Sequence, residues 1–283
     1  MSSAASRWVG LFLPLRITAQ EKIDRLLVLV GRTYPTFTAK KRPAFSILIP
    51  TIPDRLPLLM SRAIPSILAQ TNQSYEVLVI TDNFDALVAD KITSLDARFR
   101  YLWGVRTPRA LRYAPPLAKW CSAATPALNT GLKEARGEYI ARLDDDDSWV
   151  KAHLSNSLKQ LTDSGAEFVS SSCLLPDGST SPDYWSTDPY YGPQRPARFD
   201  RVRIGSPITW VYSRRIRVVR YSTWSWRLPH NRPADINLSV RLWRAGVSMH
   251  YSETVGAQVG LREGMSSWGL QAFVEENGEQ GTP

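Results

Sequence analysis

An α/β domain built on a doubly wound, mostly parallel sheet is the fold class predicted by this 283-residue chain. Three observations carry the prediction. Residues 45–49, 75–81 and 139–143 are short, nearly unbroken apolar runs rich in Val and Ile, as strands buried on both faces should be. Stretches with helical spacing separate them, so strand and helix alternate. Each run ends in a polar cluster: Pro50-Thr51, Asp82-Asn83 and the four acids Asp144, Asp145, Asp146 and Asp147. In such sheets ligands bind beyond the carboxyl ends of the strands, so these clusters are expected to share one cleft.

Taken in order, residues 1–43 read as an N-terminal extension with a helix over about 18–30. Trp8 to Leu15 is apolar but shorter than the ~18–20 residues that span a bilayer, and no cleavage-site pattern follows it. It is read either as a cover for an apolar patch of the main domain or as a membrane-surface contact helped by Arg7, Arg16 and residues 26–30. Strand 45–49 is followed by a helix over 56–70, with Leu59, Ala63 and Ile67 on one face. Strand 75–81, a helix at 87–95 and a strand at 99–103 come next. Residues 104–118 hold Arg106, Arg109, Arg112 and three prolines and read as a basic loop.

A helix over 123–136 is stopped by Gly137 and leads into strand 139–143 and the acids. A helix over 150–161 and a strand over 167–174 follow. Residues 176–207, rich in Pro, Gly, Tyr and Asp, read as an excursion or small hairpin. A strand at 208–212, a short basic helix at 213–220 and a helix over 233–243, closed by Gly246, complete the domain. The division is 1–43 extension, 44–161 first half, 162–270 second half and 271–283 tail.

Composition excludes some classes. Hydrophobic residues make up 43% and charged residues 22%, ordinary globular values. Two cysteines, Cys121 and Cys173, give no disulfide framework, and three scattered histidines show no metal-ligand spacing. A reducing, cytoplasmic setting is expected. The net charge of +9 calls for an anionic partner. No RNA-recognition or helix-turn-helix signature accompanies it, which disfavours nucleic acid.

The four acids admit two compatible readings. One is an acidic turn in which Asp147 or Ser148 caps the next helix. The other is a site for a hard divalent cation, which takes carboxylate oxygens and leaves positions open for phosphates.

The run Phe45-Ser-Ile-Leu-Ile-Pro-Thr51 is followed by Tyr75-Glu-Val-Leu-Val-Ile-Thr-Asp82. Then come Ala127-Leu-Asn-Thr-Gly131, Ala135-Arg-Gly-Glu-Tyr-Ile140 and Leu143-Asp-Asp-Asp-Asp147. This order is similar to the family 2 glycosyltransferases, continuously over about 44–161 and again near 208–246. The resemblance implies a GT-A fold with a smaller mixed sheet on the acceptor side, and an inverting enzyme that uses a nucleotide-diphosphate sugar, a UDP-sugar first. It implies that Pro50, Thr51, Asp82, Asp144 and Asp145 line the nucleotide. Asp144 and Asp146 would be the acids of the DxD motif, with Asp146 binding Mn²⁺ or Mg²⁺. Asp235 would be the general base, its competing reading being a helix cap. The implied acceptor is a growing bacterial surface glycan or a lipid-linked saccharide at the inner face of the membrane. Arg109, Arg262, Trp224 and Trp226 are candidate diphosphate or acceptor contacts.

Three departures from the family pattern stand out: Leu128 where a basic residue is usual, Ala234 in place of the first late acid, and no His in residues 261–266. They leave open a catalytically weak GT-A nucleotide binder. Transfer to a protein or nucleic acid is a further alternative.

Overall fold

The computed structural model describes residues 3–33, 42–104, 113–181, 203–228 and 233–260. A single sheet of eight strands forms its centre, in the order β3-β2-β1-β4-β7-β6-β8-β5. The strands are β1 (Phe45–Pro50), β2 (Tyr75–Ile80), β3 (Phe99–Leu102), β4 (Tyr139–Arg142), β5 (Ser148–Trp149), β6 (Phe168–Leu174), β7 (Val211–Ser213) and β8 (Met249–Gln258). Strands β3, β2, β1 and β4 are mutually parallel. Beyond β4 the sheet turns mixed: β7 is antiparallel to β4 and β6, β8 is parallel to β6, and β5 closes antiparallel to β8. The mixed part continues the parallel part in the same sheet.

Strand periodicity sorts the core onto two faces. Phe45, Ile47, Ile49, Val77 and Val79 point to one side. There they meet the helical run 56–68 (α2), α3 (Ala86–Thr93) and α6 (His153–Ser164) through Leu59, Ile67, Val88, Ile92, Leu154 and Leu161. Leu48, Leu78, Ile80 and Ile140 point to the other side, against α5 (Thr125–Glu134), α7 (Ala234–Arg244) and Val28 of α1 (Ser3–Thr33). The helix α5 sits so close that a Cβ on Gly131 would lie 2.6 Å from Ile80 Cδ1, which is why glycine stands there. Helices on both faces make this the doubly wound architecture that the alternating runs predict.

Several expectations shift. The expected helix at 18–30 is one helix of 31 residues, and Asp24 and Val28 seat it on the main domain. The last three residues of the expected basic loop open a short helix, α4 (Pro116–Cys121). The helix after the acids starts at His153 rather than 150, because Ser148 and Trp149 pair with Gln258 and Ala257 instead. The expected strand at 208–212 opens as a 3-10 turn, Pro207–Thr209, and the basic helix at 213–220 is a 3-10 turn, Arg214–Val218. Strand β8 has no counterpart in the sequence reading. Most of the 176–207 excursion and the 271–283 tail lie outside the described residues.

Candidate active site

The carboxyl ends of β1 and β2 share a cavity as expected, whereas the acids beyond β4 do not line it and are joined to it through Thr51 and Arg55. Pro50, Thr51 and Asp82 line one cavity of about 550 Å³ together with Ile52, Arg55, Lys119, Ser122 and the start of α5. Burial pushes the Asp82 carboxyl above its ordinary pKa. Ala124 opens α5 with φ 59°, a left-handed backbone uncommon for a residue with a Cβ. The neighbouring Ser122 hydroxyl is buried and has no hydrogen-bond partner among the described residues. A strained turn beside an unsatisfied donor on a cavity wall is an arrangement that a bound polar group would complete.

The four acids form a turn just beyond β4, closed by a hydrogen bond from the Asp147 N–H to the Asp144 carbonyl at 3.3 Å, and divide into two buried and two accessible side chains. Asp145 is 1% exposed and accepts a hydrogen bond from Thr51 Oγ1 at 2.6 Å. Arg55 Nη2 lies 2.5 Å from Asp145 Oδ1 and 2.9 Å from Asp146 Oδ2. Burial pushes the Asp145 carboxyl up to about 6, against the opposing pull of Thr51 and Arg55. Expected on the nucleotide, Asp145 instead directs its oxygens into the protein. Asp147 is also buried. Its Oδ1 accepts from the Gly260 N–H at 2.8 Å, so it ties the acid loop to the end of β8. The expected helix cap is not formed, since the residue at the N-cap of α6 is Ala152, which has no polar side chain to cap with. Burial, then the charge of Asp144, raises the Asp147 pKa.

Asp144 and Asp146 keep accessible carboxylates, with side chains 32% and 16% exposed. Arg142, the last residue of β4, grips Asp144 through Nε and Nη2 at 3.1 and 3.2 Å. Its Nη1 lies 3.8 Å from Asp235 Oδ2. Burial works against the Arg142 charge, but Asp144, Tyr221 and Asp235 outweigh it and its pKa is raised. One buried guanidinium thus spans the expected DxD acid and the expected base. Asp235 sits in the first turn of α7, and its Oδ1 accepts from the Ile236 N–H at 2.8 Å.

Asn129 of α5 holds the adjacent segment. Its amide donates to the Tyr221 carbonyl at 2.9 Å and its carbonyl accepts from the Tyr221 N–H at 3.0 Å. Trp224 stacks under the Arg16 guanidinium at 3.8 Å, and Trp226 packs against Ala114 and Ala118. Arg106, Arg109, Arg112 and Arg262 lie outside the described residues. Sequence reasoning missed Arg55 and Arg142. The place of Arg142 at the end of β4, two residues before Asp144, was the available signal for it.

Among the described residues no three His, Cys, Asp or Glu side chains gather as a metal cage. The residues present still fit a hard cation of the Mg²⁺ or Mn²⁺ type: two accessible carboxylates supply oxygen donors, and diphosphate and water oxygens would fill the remaining positions.

A mixed sheet with helices on both faces, an acid-tipped central strand and a cavity beyond its parallel half define a GT-A fold. Solved structures share it, TarS and PcManGT among them. TarS of S. aureus in complex with UDP-GlcNAc matches at TM-score 0.54 and 16% identity, over 78% of this chain and 59% of that one. The mannosyltransferase PcManGT of Pyrobaculum calidifontis, in complex with GDP-Man and Mn²⁺, matches at TM-score 0.55 and 16% identity, over 97% and 76%. This chain spans between 36% and 60% of the length of the TarS chains it matches. No curated protein matches it. Residues 122–222, from the cavity wall through β4 and the acids to Tyr221, match the model of Glycosyl transferase family 2. Over that stretch the chain is similar to the family 2 glycosyltransferases.

Proposed function

We propose that the protein moves a sugar, with inversion, from a nucleotide-diphosphate donor to a hydroxyl of a glycan or lipid-linked saccharide in the cytoplasm, with residues 1–43 toward the membrane. The observation that carries this reading is the Arg142 bridge, which brings Asp144 and Asp235 to one guanidinium.

Pro50, Thr51 and Asp82 would receive the nucleoside. An ionised Asp82 accepts from the ring N–H of uracil or guanine and faces lone pairs on cytosine or adenine. UDP or GDP donors are therefore favoured, a UDP-sugar first. TarS and PcManGT, which bind such nucleotides, agree. Asp146, with Asp144, would hold the divalent ion against the diphosphate, where it would offset the charge that builds as the glycosyl bond breaks. Asp235 would take the proton of the attacking hydroxyl from the opposite face of the sugar. One displacement with one base inverts the anomeric centre.

A second reading, weakened metal dependence, is favoured by one observation: Arg55 and Arg142 already pair Asp144, Asp145 and Asp146. Thermal unfolding with nucleoside diphosphates and nucleotide sugars, with and without Mn²⁺, tests both. Asp146→Asn should lose the Mn²⁺-dependent shift. Asp235→Asn should keep it and lose transfer. A UDP or GDP shift indifferent to Mn²⁺ favours the second reading, and no shift with any nucleotide refutes both.

A further inference from the structure

Helix α1 is two-faced along residues 16–33. Its inward side holds Asp24 and Val28, both fully buried, and Gly31, where a Cβ would lie 2.0 Å from the Arg215 carbonyl oxygen. Its outward side presents Ile23, Leu26, Leu29 and Val30 at 51%, 60%, 56% and 43% exposure. Four large aliphatic side chains on one side of one helix form a patch, whereas isolated apolar residues on a surface need no explanation.

Charge is segregated in the same sense. The two acids of this stretch, Glu21 and Asp24, pair inward with Arg244 and Arg241. Lys22, exposed, falls at helical spacing between Leu26 and Leu29, and exposed Arg25 flanks Leu29. The outward face is therefore aliphatic and cationic, with no carboxylate.

We infer that the outward face of α1 docks on an anionic lipid surface. Aliphatic side chains enter the boundary of acyl chains and headgroups while Lys22 and Arg25 meet lipid phosphates. A second copy docked by two-fold symmetry brings the same cationic face against itself, which argues for lipid over dimer. Among the described residues no helix is long and apolar enough to cross a membrane, so α1 lies in the plane of the interface. The stacking of Arg16 on Trp224 joins the docked helix to the segment just ahead of Asp235. Resting on the transferase reading above, this placement selects a lipid-linked acceptor over a free one.

Co-sedimentation of the full chain with vesicles of phosphatidylcholine alone, or mixed with phosphatidylglycerol, tests the inference. The wild type should bind the anionic vesicles preferentially. Leu26→Gln/Leu29→Gln should weaken that binding at least tenfold, and Lys22→Glu should weaken it by a smaller factor and reduce its salt sensitivity. Equal binding by all three proteins, or no preference for anionic vesicles, overturns the inference. So does a wild type whose mass doubles with concentration, in a manner that Leu26→Gln/Leu29→Gln abolishes, without vesicle binding. A monomer that ignores vesicles likewise overturns it and points to a segment of the chain itself as the cover. Nucleotide-induced thermal shifts are measured in parallel. Vesicle binding without any nucleotide shift upholds the surface and rejects the transferase reading, and the reverse pattern rejects the surface alone.

Discussion

At the scale of single residues, Arg142 organises the site. Replacing it with methionine leaves Asp144 and Asp235 turned toward each other around a buried position without a cation. Because those carboxylates keep 32% and 22% exposure, water screens them and the cost is about 1–3 kcal/mol, below that of breaking a fully buried pair. Arg142→Met should therefore lower the urea midpoint, and Arg142→Lys should recover only part of the loss, because a point-charge ammonium cannot replace a planar fork that grips one carboxylate twice while reaching another. An unchanged midpoint would remove Arg142 from this role. The sequence offers the acids openly, since four in a row are conspicuous, but which of them are accessible is set by the turn they form beyond β4. It does not reveal Arg55 as the partner of Asp145 and Asp146, because that contact joins residues about ninety positions apart. His153 sets a different test. Fully buried against Trp149, its pKa is pushed down by burial to about 3. The folded protein thus holds this imidazole neutral while the unfolded chain protonates it below about 6.5. The stability it contributes is fully present above that pH and is lost as pH falls toward 3, at up to about 1.4 kcal/mol per unit. His153→Phe should flatten the fall in melting temperature between pH 6 and 4, and an acid limb as steep as wild type would count against this assignment.

At the scale of elements, the parallel half was legible and the mixed half much less so. Strands β1, β2 and β4 are buried on both faces, so their residues need no alternation and stand out as apolar runs. Strand β8 is mostly half-buried or exposed, and its sequence, Met249 to Gln258, is polar over most of its length. Only pairing with β6 and β5 makes it a strand, and no local signal carries such distant partners. Yet β8 completes the candidate site, because Gly260 just beyond it donates to Asp147. A Cβ on Gly260 would lie 1.8 Å from the Asp146 carbonyl oxygen and 2.0 Å from Arg62 Nη1. Arg62 is flexible enough to yield, whereas the backbone of the acid loop must shift. Gly260→Ala is therefore expected to cost about 1–3 kcal/mol of stability and to weaken the Mn²⁺-dependent nucleotide shift more than a surface substitution such as Lys159→Ala. Calorimetric unfolding with and without UDP and Mn²⁺ would detect this, and a full-size ligand shift in Gly260→Ala would separate β8 from the site.

At the scale of the whole molecule, binding of metal and of nucleotide are expected to be coupled, and the charge distribution explains why. The chain carries +9 overall, yet the acids at the tip of β4 are paired by arginines. A divalent ion arriving alone meets two accessible carboxylates already engaged with guanidinium groups, so it gains little over its hydration shell. A nucleoside diphosphate arriving alone meets arginines held by those acids. If the two bound together, Asp144 and Asp146 would hold the cation and the released guanidinium groups of Arg55 and Arg142 would face the diphosphate, so each ligand would relieve the cost met by the other. Coupling of this kind is reciprocal and amounts to about 1–3 kcal/mol. Titration calorimetry should find Mn²⁺ affinity raised by UDP and UDP affinity raised by Mn²⁺, by the same factor of roughly 5–150. Arg55→Ala should shrink that factor, because Asp145 and Asp146 would lose their resident cation and the ion would bind better unaided. Independent binding of the two ligands would break this argument at its base, and it would leave Arg55 and Arg142 as structural partners of the acid loop alone.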